Sequence, residues 1–164
     1  MSVWRHLRAI VLLPVTATLV IPAVLVWTKN SIDIGWWRVL GAIIIALGLA
    51  LFVSTVRYFA RLGRGTLAPW DPTERLVVAG PYRYVRNPMI TAVLTILLGE
   101  AALLRSLPIL VWSGIFFALN AVYFPLAEEP DLRRRFGAEY DEYCANVPRW
   151  IPRRRAWIPP PRDA

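Results

Sequence analysis

The chain has 164 residues, of which 57% are hydrophobic, and it carries 19 Lys and Arg against 11 Asp and Glu, with a mean hydropathy of +0.46. Soluble domains usually contain more charge and less apolar content, so this composition favours a membrane protein. A single cysteine, Cys144, and a single histidine, His6, exclude a Cys/His zinc site and an internal disulfide. The position of His6 in the N-terminal arm argues against a Ser-His-Asp or Cys-His catalytic arrangement.

Four apolar segments are each long enough to cross a bilayer. In chain order they are residues 9–27, 39–56, 87–104 and 106–127, and only the third contains a charged residue, Glu100. A spanning helix needs roughly 20 mostly apolar residues, and a backbone without surrounding water must satisfy its own hydrogen bonds. We therefore predict an all-α polytopic membrane protein with about four transmembrane helices. The alternative is a soluble protein with four buried core helices.

The first apolar segment has the basic start of a signal peptide, with Arg5 and Arg8. Its apolar stretch exceeds the roughly 7–15 residues of a cleaved signal and no clear A-x-A site follows, so we expect a retained span. Pro14 and Pro22 lie inside this segment. Such prolines can kink a membrane helix where neighbouring groups satisfy the freed carbonyls.

The basic residues are distributed unevenly around the predicted spans. The segments before the first span, between the second and third, and after the fourth carry 16 of the 19 Lys and Arg residues. The positive-inside rule places all three segments in the cytoplasm, with both termini, and we expect a bacterial cytoplasmic membrane. The surplus charge thus reflects topology and contact with anionic lipid rather than binding to nucleic acid. No feature of the sequence fixes the oligomeric state.

The third and fourth spans form a predicted antiparallel hairpin with polar residues at its cytoplasmic ends. The third span begins near Pro88, and a tight outer turn, LLRSLP, connects it to the fourth. We therefore expect Arg86 and Glu128 to lie within a few side-chain lengths of each other. The alternative is that Arg83 and Arg86 anchor lipid phosphates while Glu128 offsets their charge.

One amphipathic helix is predicted after the fourth span. Pro130 suits a first helical turn, and Pro148 cannot continue the helix, which should end near Asn146. Apolar residues recur between these points at spacings of three and four, which is the pattern of one helix face. They are Leu132, Phe136, Tyr140, Tyr143 and Val147. We predict one membrane domain over residues 1–152 and a basic, proline-rich tail over 153–164 whose end is extended or disordered.

Two motifs around this hairpin resemble those of a known family. The segments GPYRYVRNPM and EEPDLRRRFGAEYDEYCANVPRWIP combine G-x-Y, R-x-P, E-E and F-G-x-x-Y-x-x-Y between hydrophobic spans. This combination resembles the isoprenylcysteine carboxyl methyltransferase family and its phospholipid-methyltransferase relatives, over roughly residues 74–152. The resemblance implies S-adenosylmethionine bound at the cytoplasmic face, mainly by residues 74–147, beside a tunnel open to the bilayer. The implied activity is methyl transfer to a lipophilic, membrane-derived substrate.

The resemblance also implies the residues of the site. It places Arg86 and Asn87 at the catalytic centre, and Glu128 on the cofactor's ammonium through a charge-assisted hydrogen bond. Arg86 or backbone N–H groups of the Gly-Pro turn would take the cofactor's carboxylate, and Tyr82 or Tyr140 would face the sulfonium or the adenine. The implied cofactor contacts are Glu74, Arg75, Leu76, Val77, Tyr82, Asn87, Pro88, Met89, Ile90 and Glu128.

The chain departs from the family pattern at three positions. Asn87 and Ile90 stand where the family has histidine and tyrosine, and asparagine cannot titrate near neutral pH, which argues against a general base there. In-line methyl transfer from an activated donor needs positioning and desolvation rather than an acid or base. Phe124 stands at the substrate position where carboxyl-methylating relatives have arginine. An apolar or amine-bearing lipid, or a small lipophilic nucleophile, therefore fits better than a prenylcysteine carboxylate.

These departures leave open a second function, a non-catalytic membrane protein of the same fold that acts as a lipid-binding or assembly module. Tyr140 and Tyr143 are interpreted as packing residues that cover the site, and Cys144 as inert. Glu100, an acid inside a predicted span, is a functional candidate by default. The alternative is that Glu100 reaches the outer interface or pairs with Arg105.

Overall fold

The computed structural model describes residues 11–26, 35–62 and 75–160, and these residues form helices with no β-strand among them. Residues outside these ranges include His6 and Glu74. The first helix, α1, combines a π-helical part and an α-helical part, and a 3₁₀ turn, Gly80–Arg83, precedes the third helix. The elements are α1 (Val11–Val20 and Ile21–Val26), α2 (Trp36–Leu62), α3 (Pro88–Leu103), α4 (Leu107–Tyr123), a π turn (Phe124–Glu128), α5 (Glu129–Phe136) and α6 (Ala138–Asn146).

Helix α1 accommodates its prolines through π-helical hydrogen bonding and through a hydrogen bond from a neighbouring helix. Pro22 has no N–H and therefore cannot donate to the preceding turn of α1. The indole N–H of Trp112 in α4 donates to the Ala17 carbonyl of that preceding turn at 3.1 Å. This bond supplies a donor from a neighbouring helix next to the proline and joins α1 to α4.

Helices α2 and α3 make the most extensive helix–helix contact of the fold because glycines let their backbones approach closely. A Cβ atom at Gly41 would lie 2.5 Å from the Leu103 backbone nitrogen and 2.7 Å from the Gly99 carbonyl oxygen. One added at Gly48 would lie 2.7 Å from the Ile96 side chain. This contact fixes the position of α3, whose first turn carries part of the predicted site.

Helix α3 lies at the centre of the bundle, in contact with α1, α2 and α4. Val93 and Leu97 of α3 are fully buried in an apolar cluster that also includes Ile109 of α4. The outer faces of α2 and α4 remain apolar and exposed, as at Leu47 and Leu119. Aliphatic side chains on the outside of long apolar helices are expected where lipid, rather than water, surrounds the protein.

Within the described ranges, two helices are long and apolar enough to cross a membrane, Trp36–Leu62 and Leu107–Phe136, and two shorter ones are apolar, Pro14–Val26 and Pro88–Leu103. All four coincide with predicted spans, and α3 begins at Pro88 as predicted. The all-α fold class is confirmed for the described residues, while the number of spans and the orientation of the termini stay predictions.

The helical structure after the fourth predicted span differs from the single amphipathic helix that the sequence pattern predicted. The helix that begins at Leu107 does not end at Ala127 but continues through the π turn to Phe136. It breaks at Gly137, where φ is +53°, a conformation that glycine adopts without the cost of a Cβ atom. The predicted stripe nevertheless packs together, because Tyr140, Tyr143 and Val147 are buried against Leu132 and Phe136.

Residues 147–160 form an irregular segment, here called the C-terminal strap, that returns to the loop before α3. The backbone N–H of Arg86 donates to the Pro148 carbonyl at 2.9 Å. The N–H groups of Arg153 and Trp157 donate to the carbonyls of Tyr84 at 2.9 Å and Arg83 at 3.0 Å. Three backbone hydrogen bonds therefore attach the strap to the residues that precede α3.

Candidate active site

The predicted site lies at one end of the bundle, where α2 ends, α3 begins and α4 continues into the π turn. The 3₁₀ turn is held against the end of α2. Gly80 has a φ of +54°, and a Cβ atom there would lie 2.3 Å from the Tyr58 ring, so both the backbone angle and the packing require glycine. The Tyr82 ring lies 6.4 Å from that of Phe59, and the Tyr82 carbonyl accepts a 2.8 Å hydrogen bond from the Tyr143 hydroxyl.

Tyr82 and Glu128 lie within electrostatic reach of each other at this end. Burial, and secondarily the charge of Glu128, raises the pKa of Tyr82 well above its usual range. The phenol is therefore neutral at physiological pH and available as a hydrogen-bond donor or as an aromatic surface. The charge of Glu128 therefore acts on Tyr82, although these two predicted cofactor residues are far apart in the sequence.

Glu128 lies just beyond the apolar part of the helix that begins at Leu107. Its carboxylate is half-buried and has no hydrogen bond or ion pair within the described ranges. Burial, with the nearby charges of Glu129 and Asp131, raises the pKa of Glu128 to about 7. A carboxylate in this environment is stabilised by any cation that binds beside it.

Glu129, which the sequence reasoning missed, is the acid of this site that pairs with arginine. Its carboxylate accepts two hydrogen bonds from Arg149, at 2.6 Å to Oε1 and 2.8 Å to Oε2, and one from Arg86 Nη1 at 3.2 Å. The π turn explains why Glu129, rather than Glu128, faces the arginines. In this turn the Glu129 backbone N–H donates to the carbonyl of Phe124, five positions earlier. Phe124 and Glu129 are consequently both buried, whereas a regular α-helix would stack Phe124 over Glu128.

Two nitrogen donors in the predicted catalytic pair are buried without a partner. Neither Arg86 Nε nor Asn87 Nδ2 finds an acceptor among the residues that the structure describes. Buried polar groups are nearly always hydrogen-bonded, so orphaned donors indicate a ligand or a water at that place. With the unpaired carboxylate of Glu128, these donors suit a molecule that carries both a positive and a negative group.

The remaining predicted cofactor residues are divided between two places. Pro88 is buried at the start of α3, and Met89 and Ile90 are partly buried in its first turn. The preceding strip, Arg75, Leu76 and Val77, lines a cavity of about 360 Å³ with Glu139 and residues of the C-terminal strap. Glu128 is not among the residues that line this cavity.

Phe124, the predicted substrate residue, lies in an aromatic cluster. Its ring meets that of Trp150 edge-on with centroids 5.7 Å apart, and Trp150 also meets Phe117 at 5.4 Å. The position therefore presents an apolar surface. Neither Arg149 nor Trp150 was predicted to contribute to the site, because the only signal was a proline-rich segment with no periodicity that would place it against α4.

Tyr140 and Tyr143 are both buried, which confirms that they are packing residues. Cys144 is half-exposed, and its Sγ lies 2.7 Å from Arg86 Nη1. Glu100 lies outside this site, in the last turn of α3, and its buried Oε2 accepts no hydrogen bond from the described residues. Arg105 instead lies over the Trp37 ring, 5.0 Å from its centroid.

A bundle of apolar helices with a charged, partly unpaired site at one end is the architecture of a membrane protein that handles lipids. The chain belongs to the phospholipid methyltransferase family, whose model matches residues 36–139, more than half of the sequence. The members of this family transfer methyl groups to lipid-type substrates. No curated protein and no solved structure matches the chain.

Proposed function

We propose that the protein transfers a methyl group from S-adenosylmethionine to a lipophilic substrate that enters from the membrane, with the reaction at the cytoplasmic face. The observation that carries the proposal is the half-buried carboxylate of Glu128, which lies within electrostatic reach of Tyr82 and has no cationic partner within the described ranges. Membership of a methyltransferase family supports the reaction type.

The chemistry of the donor set fits this cofactor, which supplies a methyl group on a sulfonium and carries an ammonium and a carboxylate. Glu128 binds the ammonium through a charge-assisted hydrogen bond, and the buried cation lowers the pKa of the carboxyl group again. Arg86 Nε and Asn87 Nδ2 are the unpartnered donors for the cofactor's carboxylate. The neutral Tyr82 ring offers a face to the sulfonium or the adenine.

The residues of this site position and desolvate the reactants rather than exchange protons with them. Asn87 is not titratable, and Tyr82 has a raised pKa, so neither is a base at neutral pH. Methyl transfer in line with the breaking carbon–sulfur bond gains most of its rate from orientation and exclusion of water. The acceptor therefore receives no help from these residues as bases, and an amine acceptor would lose its proton to water before it attacks the methyl group.

The substrate surface near Phe124 and Trp150 is apolar. A lipid that carries a carboxylate would find no arginine at Phe124. We infer that the substrate is an apolar or amine-bearing lipid, or a small lipophilic nucleophile. Its acceptor atom would approach the cofactor from the membrane side of the site.

Calorimetric titration of the purified protein with S-adenosylmethionine in detergent tests the first half of the proposal. We expect saturable binding, and no binding at millimolar cofactor would refute the enzyme and favour a lipid-binding or assembly module of the same fold. A methyl-label transfer assay on a total lipid extract tests the second half. Mass identification of the labelled species would give the substrate and the acceptor atom.

A further inference from the structure

The charge balance around Arg86 is uneven. Two guanidinium groups, those of Arg86 and Arg149, face one carboxylate, that of Glu129. The side chains of Arg86 and Glu129 are only 12% and 9% exposed, whereas that of Arg149 is 32% exposed, so water compensates least of the charge at Arg86. A buried cluster with one excess positive charge is stabilised by an anion.

The two arginines are held by Glu129 in different ways. Arg149 makes the side-on bidentate pair, with Nε on Oε1 at 2.6 Å and Nη2 on Oε2 at 2.8 Å. Arg86 reaches the carboxylate through Nη1 alone, at 3.2 Å. Because Arg149 occupies the stronger geometry, Arg86 keeps its buried Nε without an acceptor among the described residues.

The position of Arg149 is fixed from both sides along the chain. The Pro148 carbonyl accepts a hydrogen bond from the backbone N–H of Arg86, and the Trp150 ring packs against Phe117 and Phe124. The residues on both sides of Arg149 are therefore held in place, which lowers the entropy cost of ordering the long Arg149 side chain against Glu129. The segment lies beyond residue 139, where the family match ends.

We infer that Arg149 is a positioning residue: by occupying Glu129 bidentately, it leaves Arg86 Nε and its charge directed at the carboxylate of the bound cofactor. This inference rests on the proposed function. Without Arg149, Arg86 would become the sole counter-ion of Glu129, and its guanidinium would turn to pair with the carboxylate through two nitrogens. The cofactor's carboxylate would then meet a neutralised arginine.

The test is calorimetric titration of the full-length protein and its Arg149→Gln variant with two probes. They are S-adenosylmethionine and decarboxylated S-adenosylmethionine, which lacks the carboxylate. We expect Arg149→Gln to weaken binding of S-adenosylmethionine roughly tenfold to a hundredfold, the range of one charge-assisted hydrogen bond, and to leave binding of the decarboxylated probe within about twofold. Arg149→Lys, which restores the charge without the bidentate geometry, should recover part of the loss.

The matched control is Arg154→Gln, which removes the same charge from an exposed position of the same strap and should change neither affinity. Equal weakening of both probes by Arg149→Gln would show a merely structural role and overturn the inference, as would unchanged binding of both. If Arg149→Gln does not fold, the same comparison on Arg149→Lys decides between these outcomes. Failure of the unaltered protein to bind S-adenosylmethionine would refute the proposed function, and the inference with it.

Discussion

The half-buried carboxylate of Glu128 leads to a prediction about the stability of the protein, which can be tested separately from the proposed role of Glu128 in binding. Its pKa is about 7 in the folded protein, against an ordinary value of 4.5. The folded state therefore holds the proton more tightly than the unfolded state. The contribution of protonated Glu128 to the free energy of unfolding is complete below pH 4.5 and is lost as the pH rises towards 7. Above pH 7 the charged carboxylate lowers the free energy of unfolding by on the order of 3 kcal/mol.

Replacing Glu128 by Gln removes this charge. We expect Glu128→Gln to raise the melting temperature of the ligand-free protein in detergent by several degrees at pH 8, and to leave it nearly unchanged at pH 5. The control is Glu142→Gln, a half-exposed glutamate of α6. A variant that is less stable than the parent at pH 8 would refute the reasoning, because it would show that the carboxylate is already compensated.

The same substitution should have the opposite effect on the cofactor. Loss of one charge-assisted hydrogen bond to the ammonium should weaken S-adenosylmethionine binding roughly tenfold to a hundredfold at pH 7.5. As the pH falls through 7, Glu128 takes up a proton and the unaltered protein should approach the affinity of Glu128→Gln by pH 5.5. A constant ratio of the two affinities across this range, measured by calorimetry, would refute the role of Glu128 as the ammonium partner.

Three further substitutions test the framework that holds the site. Gly41→Ala should lower the melting temperature, since its Cβ would lie 2.5 Å from backbone of α3, whereas Gly114→Ala, which meets nothing within 4 Å, should be neutral or slightly stabilising. Gly80→Ala should weaken cofactor binding more than it lowers stability, because a φ of +54° and a contact at 2.3 Å force the 3₁₀ turn to move; equal affinity by calorimetry would refute this. Trp112→Phe should destabilise the protein by about 1 kcal/mol by removing the donor to the Ala17 carbonyl of α1, and an unchanged melting temperature would mean that the carbonyl has another partner.

The helices were predictable because their signals are local. Apolar length predicted each of the four helices, and Pro88 marked the start of α3 since proline suits a first helical turn. The stripe from Leu132 to Val147 correctly predicted which side chains pack together. The stripe predicted one helix rather than two, because spacings of three and four residues carry no information on the backbone angle of Gly137, whose φ is positive.

The pairing of the acids could not be read from the sequence. The sequence reasoning placed Glu128 near Arg86, because the hairpin topology brings the ends of two spans together and the family resemblance points to the first glutamate of the pair. The structure gives that position to Glu129, because Pro125 lacks the N–H of a regular turn and the helix widens there. Arg149 was equally hidden, since long-range backbone bonds rather than periodicity bring the strap to the site.

The π turn lets two adjacent residues of the same type have different chemistry. Glu129 lies five positions after Phe124 and is buried with it, so the neighbouring Glu128 is left without a partner among the described residues. If the helix closed with four-residue spacing instead, Glu128 would turn towards the arginines and Glu129 would become the unpaired acid. On the proposed function, the spacing of one helical turn therefore decides which glutamate binds the cofactor, and a change in that spacing would exchange the roles of the two acids without altering either residue.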